Sequence, residues 1–215
     1  MTLKRNNGFS LVELVLTIIL LGILSVTVFP RIFDDSDVAP NVFQAQLISV
    51  LRNMQIRAMS DTREFPGEDY PCFKVNFDNF DNAFGPPPLT YYSTVDPDAP
   101  DDEEIIDGLE QTCEDYIETS TEFNPEGFFA TAEQLAADRV DLKAVNSDGD
   151  TIDFIEFDGG GIPSAETGDC LLDPGNDKNG CIIEFCAIDC EDSSNARAVV
   201  CVEPQGYIHA GLCGV

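Results

Sequence analysis

The longest apolar stretch in the chain is residues 9–29, FSLVELVLTIILLGILSVTVF, broken by one acid, Glu13. A helix needs about 20 apolar residues to cross the hydrocarbon core of a bilayer, and this stretch has that length. Lys4 and Arg5 precede it, and Asp34, Asp35 and Asp37 follow. That asymmetry orients a single span with its N-terminus in the cytoplasm and the body beyond the inner membrane. A secretory signal peptide would end its apolar run in small residues before a cleavage site, but here Phe29, Pro30, Arg31 and Ile32 stand there. Pro30 and Pro40 bracket an acidic stretch where the helix is expected to kink or be interrupted.

Over residues 41–62 the period becomes that of an amphipathic helix. Phe43, Leu47, Val50, Leu51, Met54 and Ala58 fall on one stripe, with Arg52, Arg57 and Arg63 off it, so the stripe is expected to pack on a sheet. Residues 64–138 read differently, as an acidic, proline-rich elaboration in which Lys74 is the only base. Gly85-Pro86-Pro87-Pro88 and the acidic run over 96–104 predict loop. Within it, residues 72–77 alternate and predict a strand, residues 105–117 a short helix, and Thr131-Ala132-Glu133-Gln134 a capping box before another.

The last third reads as β. Residues 151–157, TIDFIEF, alternate and stop at Gly159, Gly160 and Gly161. Residues 182–187 and 198–202 predict two more strands, and Pro204-Gln205-Gly206 a turn into Tyr207 and Ile208. The expected organisation is a leader at 1–8, a transmembrane and assembly helix at 9–33, an amphipathic helix at 34–63, the elaboration at 64–138, and a β-rich domain at 139–215. The fold class is α+β, a long N-terminal helix on a C-terminal antiparallel sheet domain, stabilised by disulfides.

Charge and cysteine content narrow the functional classes. Forty Asp and Glu stand against 11 Lys and Arg, a net charge of -29. Phosphate binding needs clustered bases, so nucleic acid is excluded as a partner. Such acidity serves solubility in a salty exterior, or else divalent cation binding. The eight cysteines, Cys72, Cys113, Cys170, Cys181, Cys186, Cys190, Cys201 and Cys213, all lie in the body. An even count beyond an export segment predicts disulfides, in a connectivity that sequence does not choose. The alternative, a zinc site from Cys181, Cys186 and Cys190, lacks the paired spacing of zinc knuckles, and His209 is the only histidine.

Glu13 carries the most information. A carboxylate within an apolar span costs several kcal/mol unless it is neutralised. A cut between Gly8 and Phe9 would create a positive amine on Phe9, four residues from Glu13 and beside it on a helix. In a packed assembly that amine reaches the Glu13 of a neighbouring chain. Gly8-Phe9-Ser10-Leu11-Val12-Glu13, behind a basic leader and ahead of Pro30, resembles the prepilin peptidase motif of type IV pilins and type II secretion pseudopilins. The resemblance covers about the first tenth of the chain. It implies cleavage after Gly8, methylation of Phe9, and assembly through Glu13. The partners it implies are prepilin peptidase, the inner membrane before assembly, and other pilins or pseudopilins in a filament.

Three patterns in the body are similar to the H-type minor pseudopilins (the GspH/FimT group) and to the minor prepilins of mannose-sensitive haemagglutinin pili. They are the helix end LRNMQIRAM at 51–59, DGGGIP at 158–163, and VCVEPQGYI at 200–208. The cysteine density and acidic middle depart from the usual H-type pseudopilin and favour the pilus relative. The expected function is therefore a minor pilin that initiates, caps or specialises a fibre. The alternatives are a secretion pseudopilin and, from another class, a tip adhesin.

No catalytic constellation can be assembled around His209, and no enzyme is expected. Gly159, Gly160 and Gly161 lack the phosphate-loop pattern. Calcium is the one cofactor left open. Its candidate ligands are Asn146, Asp148 and Asp150 in one loop and Asp173, Asp177 and Asn179 in another, oxygen donors at alternating positions. Neither loop keeps the EF-hand order, and turn-forming Asp and Asn account for both without a metal.

Overall fold

The structure is a computed structural model that describes residues 11–32, 35–61, 72–95, 104–111, 116–117, 119, 127–165, 170 and 180–213, without the side chains of 24–37 and 90–111. It divides into two compact units, Met1–Asp35 and Ser36–Val215.

The first unit holds helix α1, Leu11–Ile32. Its described side chains, 11–23, are exposed throughout. Among the described residues no helix is long and apolar enough to cross a membrane. The side chains described in α1 extend roughly 20 Å at 1.5 Å per residue, short of the ~30 Å of a bilayer core. Pro30 lies inside α1, and Pro40 lies inside α2, Asp35–Ser60. Helix α1 ends at Ile32 and α2 begins at Asp35, between the two prolines, and residues 33–34 lie outside the described residues. Pro40 falls near the start of α2, where it removes only one ladder bond.

In the second unit α2 buries the predicted stripe. Phe43, Leu47, Val50, Leu51, Met54 and Ala58 are all at most 5% exposed and belong to one core. Against them stand two four-stranded antiparallel sheets. The first has the order β2 (Ala83–Gly85), β1 (Lys74–Asp78), β6 (Phe154–Phe157), β7 (Pro163–Ser164). The second runs β10 (Ile208–Ala210), β9 (Arg197–Val202), β8 (Cys181–Ala187), β5 (Val140–Val145). Phe185 on β8 is the centre of the packing, with Phe43 stacked 6.1 Å away and Phe84 edge-on at 5.6 Å.

The middle of the chain is more than an elaboration. β1 pairs with β6, Val75 opposite Ile155, so residues from both sides of the expected boundary share one sheet. Phe77, Phe84 and Leu135 join the core. The short helix expected at 105–117 is instead β4, Glu104–Gln111, paired with β3, Leu89–Val95. Ile105 and Ile106 are β-branched and Gly108 is a poor helix former, while the facing strand is rich in Thr, Tyr and Val. Downstream, α3 spans Ala132–Ala137 with Thr131 as N-cap and the predicted reciprocal bonds to Gln134. The strand read at 151–157 forms only over Phe154–Phe157, and Thr151 makes a single bridge to Val145.

The two sheets meet at the outer edge of β5. Unpaired edge amides are a liability that folds must cover. Here the β1–β2 turn covers them: Leu142 N–H donates to Asn82 Oδ1 at 2.9 Å and Ala144 N–H to Asn79 Oδ1 at 2.8 Å. Asn79 Nδ2 also donates to the Ile152 carbonyl at 2.9 Å. Asn82 takes φ of 58°, a conformation that Asn tolerates better than most residues.

Candidate functional site

Glu13 lies in the first turn of α1, among exposed Leu11, Val12 and Leu14. A carboxylate there complements the positive end of the helix dipole. Gly8 and Phe9 lie outside the described residues. The surface around Glu13 is otherwise apolar, with Leu11 79% and Val12 72% exposed. A helix that is hydrophobic all round needs lipid or other protein around it.

The second candidate surface is the face of α2 turned away from the core. Val38, Val42, Ala45, Ser49, Arg52, Ile56 and Met59 are exposed. Their spacing alternates four and three, the seam by which one helix packs along another. Small Ala45 and Ser49 occupy the middle of the seam.

On its side edges α2 holds the sheets by polar side chains. Gln55 Nε2 donates to the Gly161 carbonyl at 2.9 Å and to the Gly206 carbonyl at 2.7 Å. Arg52 Nη2 donates to the Ile208 carbonyl at 2.8 Å. Gly161 follows β6 and Gly206 sits in the β9–β10 turn, so one amide group ties a turn from each sheet to the helix. Gly206 has φ of 84°, and a Cβ there would stand 2.3 Å from the Gly161 carbonyl oxygen. The three patterns at 51–59, 158–163 and 200–208 therefore converge on one clasp. Sequence reading found the patterns and missed Gln55, Asn79 and Asn82. A polar residue at the margin of the α2 stripe was the available signal for Gln55.

The cysteines pair as Cys170–Cys181, Cys186–Cys190 and Cys201–Cys213. Cys72 is also disulfide-bonded, no described cysteine is free, and Cys113 lies outside the described residues. The zinc alternative falls, because Cys181, Cys186 and Cys190 are all consumed in disulfides. Between Cys190 and β9, the Asp192 carboxyl is held below its usual range by hydrogen bonds from the Ser194 backbone and hydroxyl, with Arg197 nearby.

The first calcium loop is a turn whose key oxygen is already used. Asn146 Oδ1 accepts from Asp148 N–H at 3.0 Å and Asp150 N–H at 2.9 Å. Asp148 and Asp150 point to solvent, and neither belongs to a cluster of metal-binding groups among the described residues. Asp173, Asp177 and Asn179 lie outside the described residues. His209 is half-buried, 3.3 Å from Glu203 and stacked on Tyr207 at 5.1 Å.

The described residues thus hold an exposed apolar helix and, further along the chain, an α+β domain braced by disulfides. Residues 3–29 match the model of the prokaryotic N-terminal methylation motif. The match supports a type IV prepilin-like protein, pilin or pseudopilin, with prepilin cleavage and methylation. No curated protein and no solved structure matches the chain.

Proposed function

We propose that this chain is a minor type IV pilin-like structural subunit, cut by prepilin peptidase between Gly8 and Phe9 and built into a pilus of the mannose-sensitive haemagglutinin type. The prepilin part of this reading rests on the methylation motif over residues 3–29 leading into a helix with Glu13 in its first turn, and the choice of a pilus on the cysteine density and the acidic middle. Before assembly the apolar stretch holds the chain in the inner membrane, N-terminus in the cytoplasm and body in the periplasm. In the fibre it packs against neighbouring subunits, with Glu13 setting axial register against a Phe9 amine. Exposed Val38, Val42, Ile56 and Met59 on α2 supply a second helix-packing surface. The role is structural rather than enzymatic, with His209 engaged by Glu203 and Tyr207.

The second reading is an H-type pseudopilin of a type II secretion machine. The three body patterns that converge on Gln55 resemble both groups and so support it alongside the first reading. Deletion of the gene separates the two, since loss of piliation supports the first reading and loss of protein export the second. Intact mass of membrane-purified protein tests the reading they share. The expected result is loss of residues 1–8 and one added methyl on Phe9, and a mature fibre subunit that keeps Met1 would refute both.

A further inference from the structure

A groove of about 790 Å³ opens on the face of the first sheet that looks away from the core. Its volume is within the range of small-molecule sites, roughly 300–1,000 Å³. Asn76 on β1 and Phe154 on β6 are paired in register, which sets them side by side on that face. Tyr116 lies over them, its carbonyl accepting from Asn76 Nδ2 at 3.0 Å. At the mouth the β1–β2 turn presents Phe80, 93% exposed.

The lining combines two kinds of group. Phe80, Tyr116 and Phe154 supply aromatic rings, and Asp78, Asp81 and Asp153 supply carboxylates; no Lys or Arg is among the described lining residues. Aromatic faces and carboxylates both attract positive charge, and together they select an organic cation over a bare metal ion. A metal needs converging oxygens, whereas Asp78 Oδ1 is committed to the Phe80 and Asp81 amides of its own turn. The Phe154 ring is already engaged by the Lys74 ammonium, 4.8 Å from its centroid, so Phe80 and Tyr116 are the rings left for a ligand. Phe80 is near-fully solvated and contributes nothing to the core.

We infer that this groove binds an organic ammonium ion, carried by a free quaternary amine or by a lysine side chain. The site goes beyond assembly and gives the fibre subunit a means of recognition. The overall charge of -29 draws every cation weakly, so what distinguishes the groove is its rings, which act at short range and are screened by salt far less than long-range attraction.

The test uses the full-length protein in a non-ionic detergent at constant ionic strength of about 150 mM, which screens long-range attraction. Saturation-transfer NMR follows the methyl protons of tetramethylammonium, with neutral tert-butanol as the isostere and Nα-acetyl-lysine methyl ester, its side-chain ammonium free, as the second source. Saturable millimolar binding of tetramethylammonium, with little transfer to tert-butanol, is expected. Phe80→Ala and Tyr116→Leu should each weaken it by about 2–5-fold, the weight of one exposed cation–π contact. Asp81→Asn with Asp153→Asn should weaken it similarly. All four residues are exposed, so folding is preserved, and Phe154 is left intact because Lys74 rests on it. Tighter binding of acetyl-lysine methyl ester assigns the ligand to a polypeptide, and tighter binding of tetramethylammonium to a free amine. Equal binding by tert-butanol, unchanged binding in the ring variants, or displacement by equimolar calcium would overturn the inference.

Discussion

Gln55 is the sharpest test of how the body is held together. Its Nε2 group donates to two carbonyls from two sheets, at 2.9 and 2.7 Å. Each neutral hydrogen bond contributes about 0.5–1.5 kcal/mol net, so Gln55→Met, which keeps the volume and removes both donors, should cost about 1–3 kcal/mol. For a chain of this size each kcal/mol moves Tm by roughly 2–4 °C, giving a fall of about 2–12 °C. Gln55→Glu goes further, because it aims a carboxylate at two carbonyl oxygens. The folded state then favours the protonated acid, and its folded pKa rises above the unfolded value near 4.3. Relative to Gln55→Met, the Glu variant should be least impaired below about pH 4 and lose stability as pH rises through the raised pKa. Thermal or urea unfolding of the full chain in detergent, at pH 4 and pH 8, measures both effects. If Gln55→Met matches the parent within about 0.5 kcal/mol, or if the Glu variant shows no added pH dependence, the clasp holds nothing.

Asn82→Gly keeps the positive φ of the turn but strips the acceptor from Leu142 N–H, so stability should fall by about 1 kcal/mol and exchange of that amide should quicken; an unchanged exchange rate would refute the edge-cap role. Thiol labelling of denatured, unreduced protein should find no free cysteine, whereas eight labelled thiols would overturn the disulfides. In the chain-entropy model the Cys186–Cys190 link, at separation 4, stabilises by about 2 kcal/mol, and the links at separations 11 and 12 by about 3. Paired-serine variants should rank in that order by urea midpoint. Glu13→Val should be cleaved and inserted in the membrane yet enter fibres poorly, because the Phe9 amine of a neighbour loses its partner. Incorporation equal to the parent, measured in sheared fibres, would reduce the segment to an anchor.

Local pattern was enough for the features that depend on local chemistry. The motif ahead of Glu13 is contiguous, and its chemistry needs only the spacing from Phe9. The α2 stripe follows from a 3.6-residue period, and the capping box at Thr131 from four adjacent residues. β8 and β9 are short runs rich in apolar and β-branched residues, so they too were legible. Features set by distant partners were not. Residues 105–111 fold as a strand because residues 89–95 lie alongside to pair with, and no local count of propensities contains that neighbour. β1 looked like part of an acidic appendage, yet it pairs with β6 some 80 positions later. Three short patterns read separately gained a common purpose only when Gln55 was seen to bond Gly161 and Gly206. The cysteine partners were likewise beyond the sequence, because a disulfide requires two Cα atoms brought to about 5 Å, as at Cys186–Cys190. Tertiary structure decided these points because each depends on which groups meet in space, while periodicity reports only which face a residue presents.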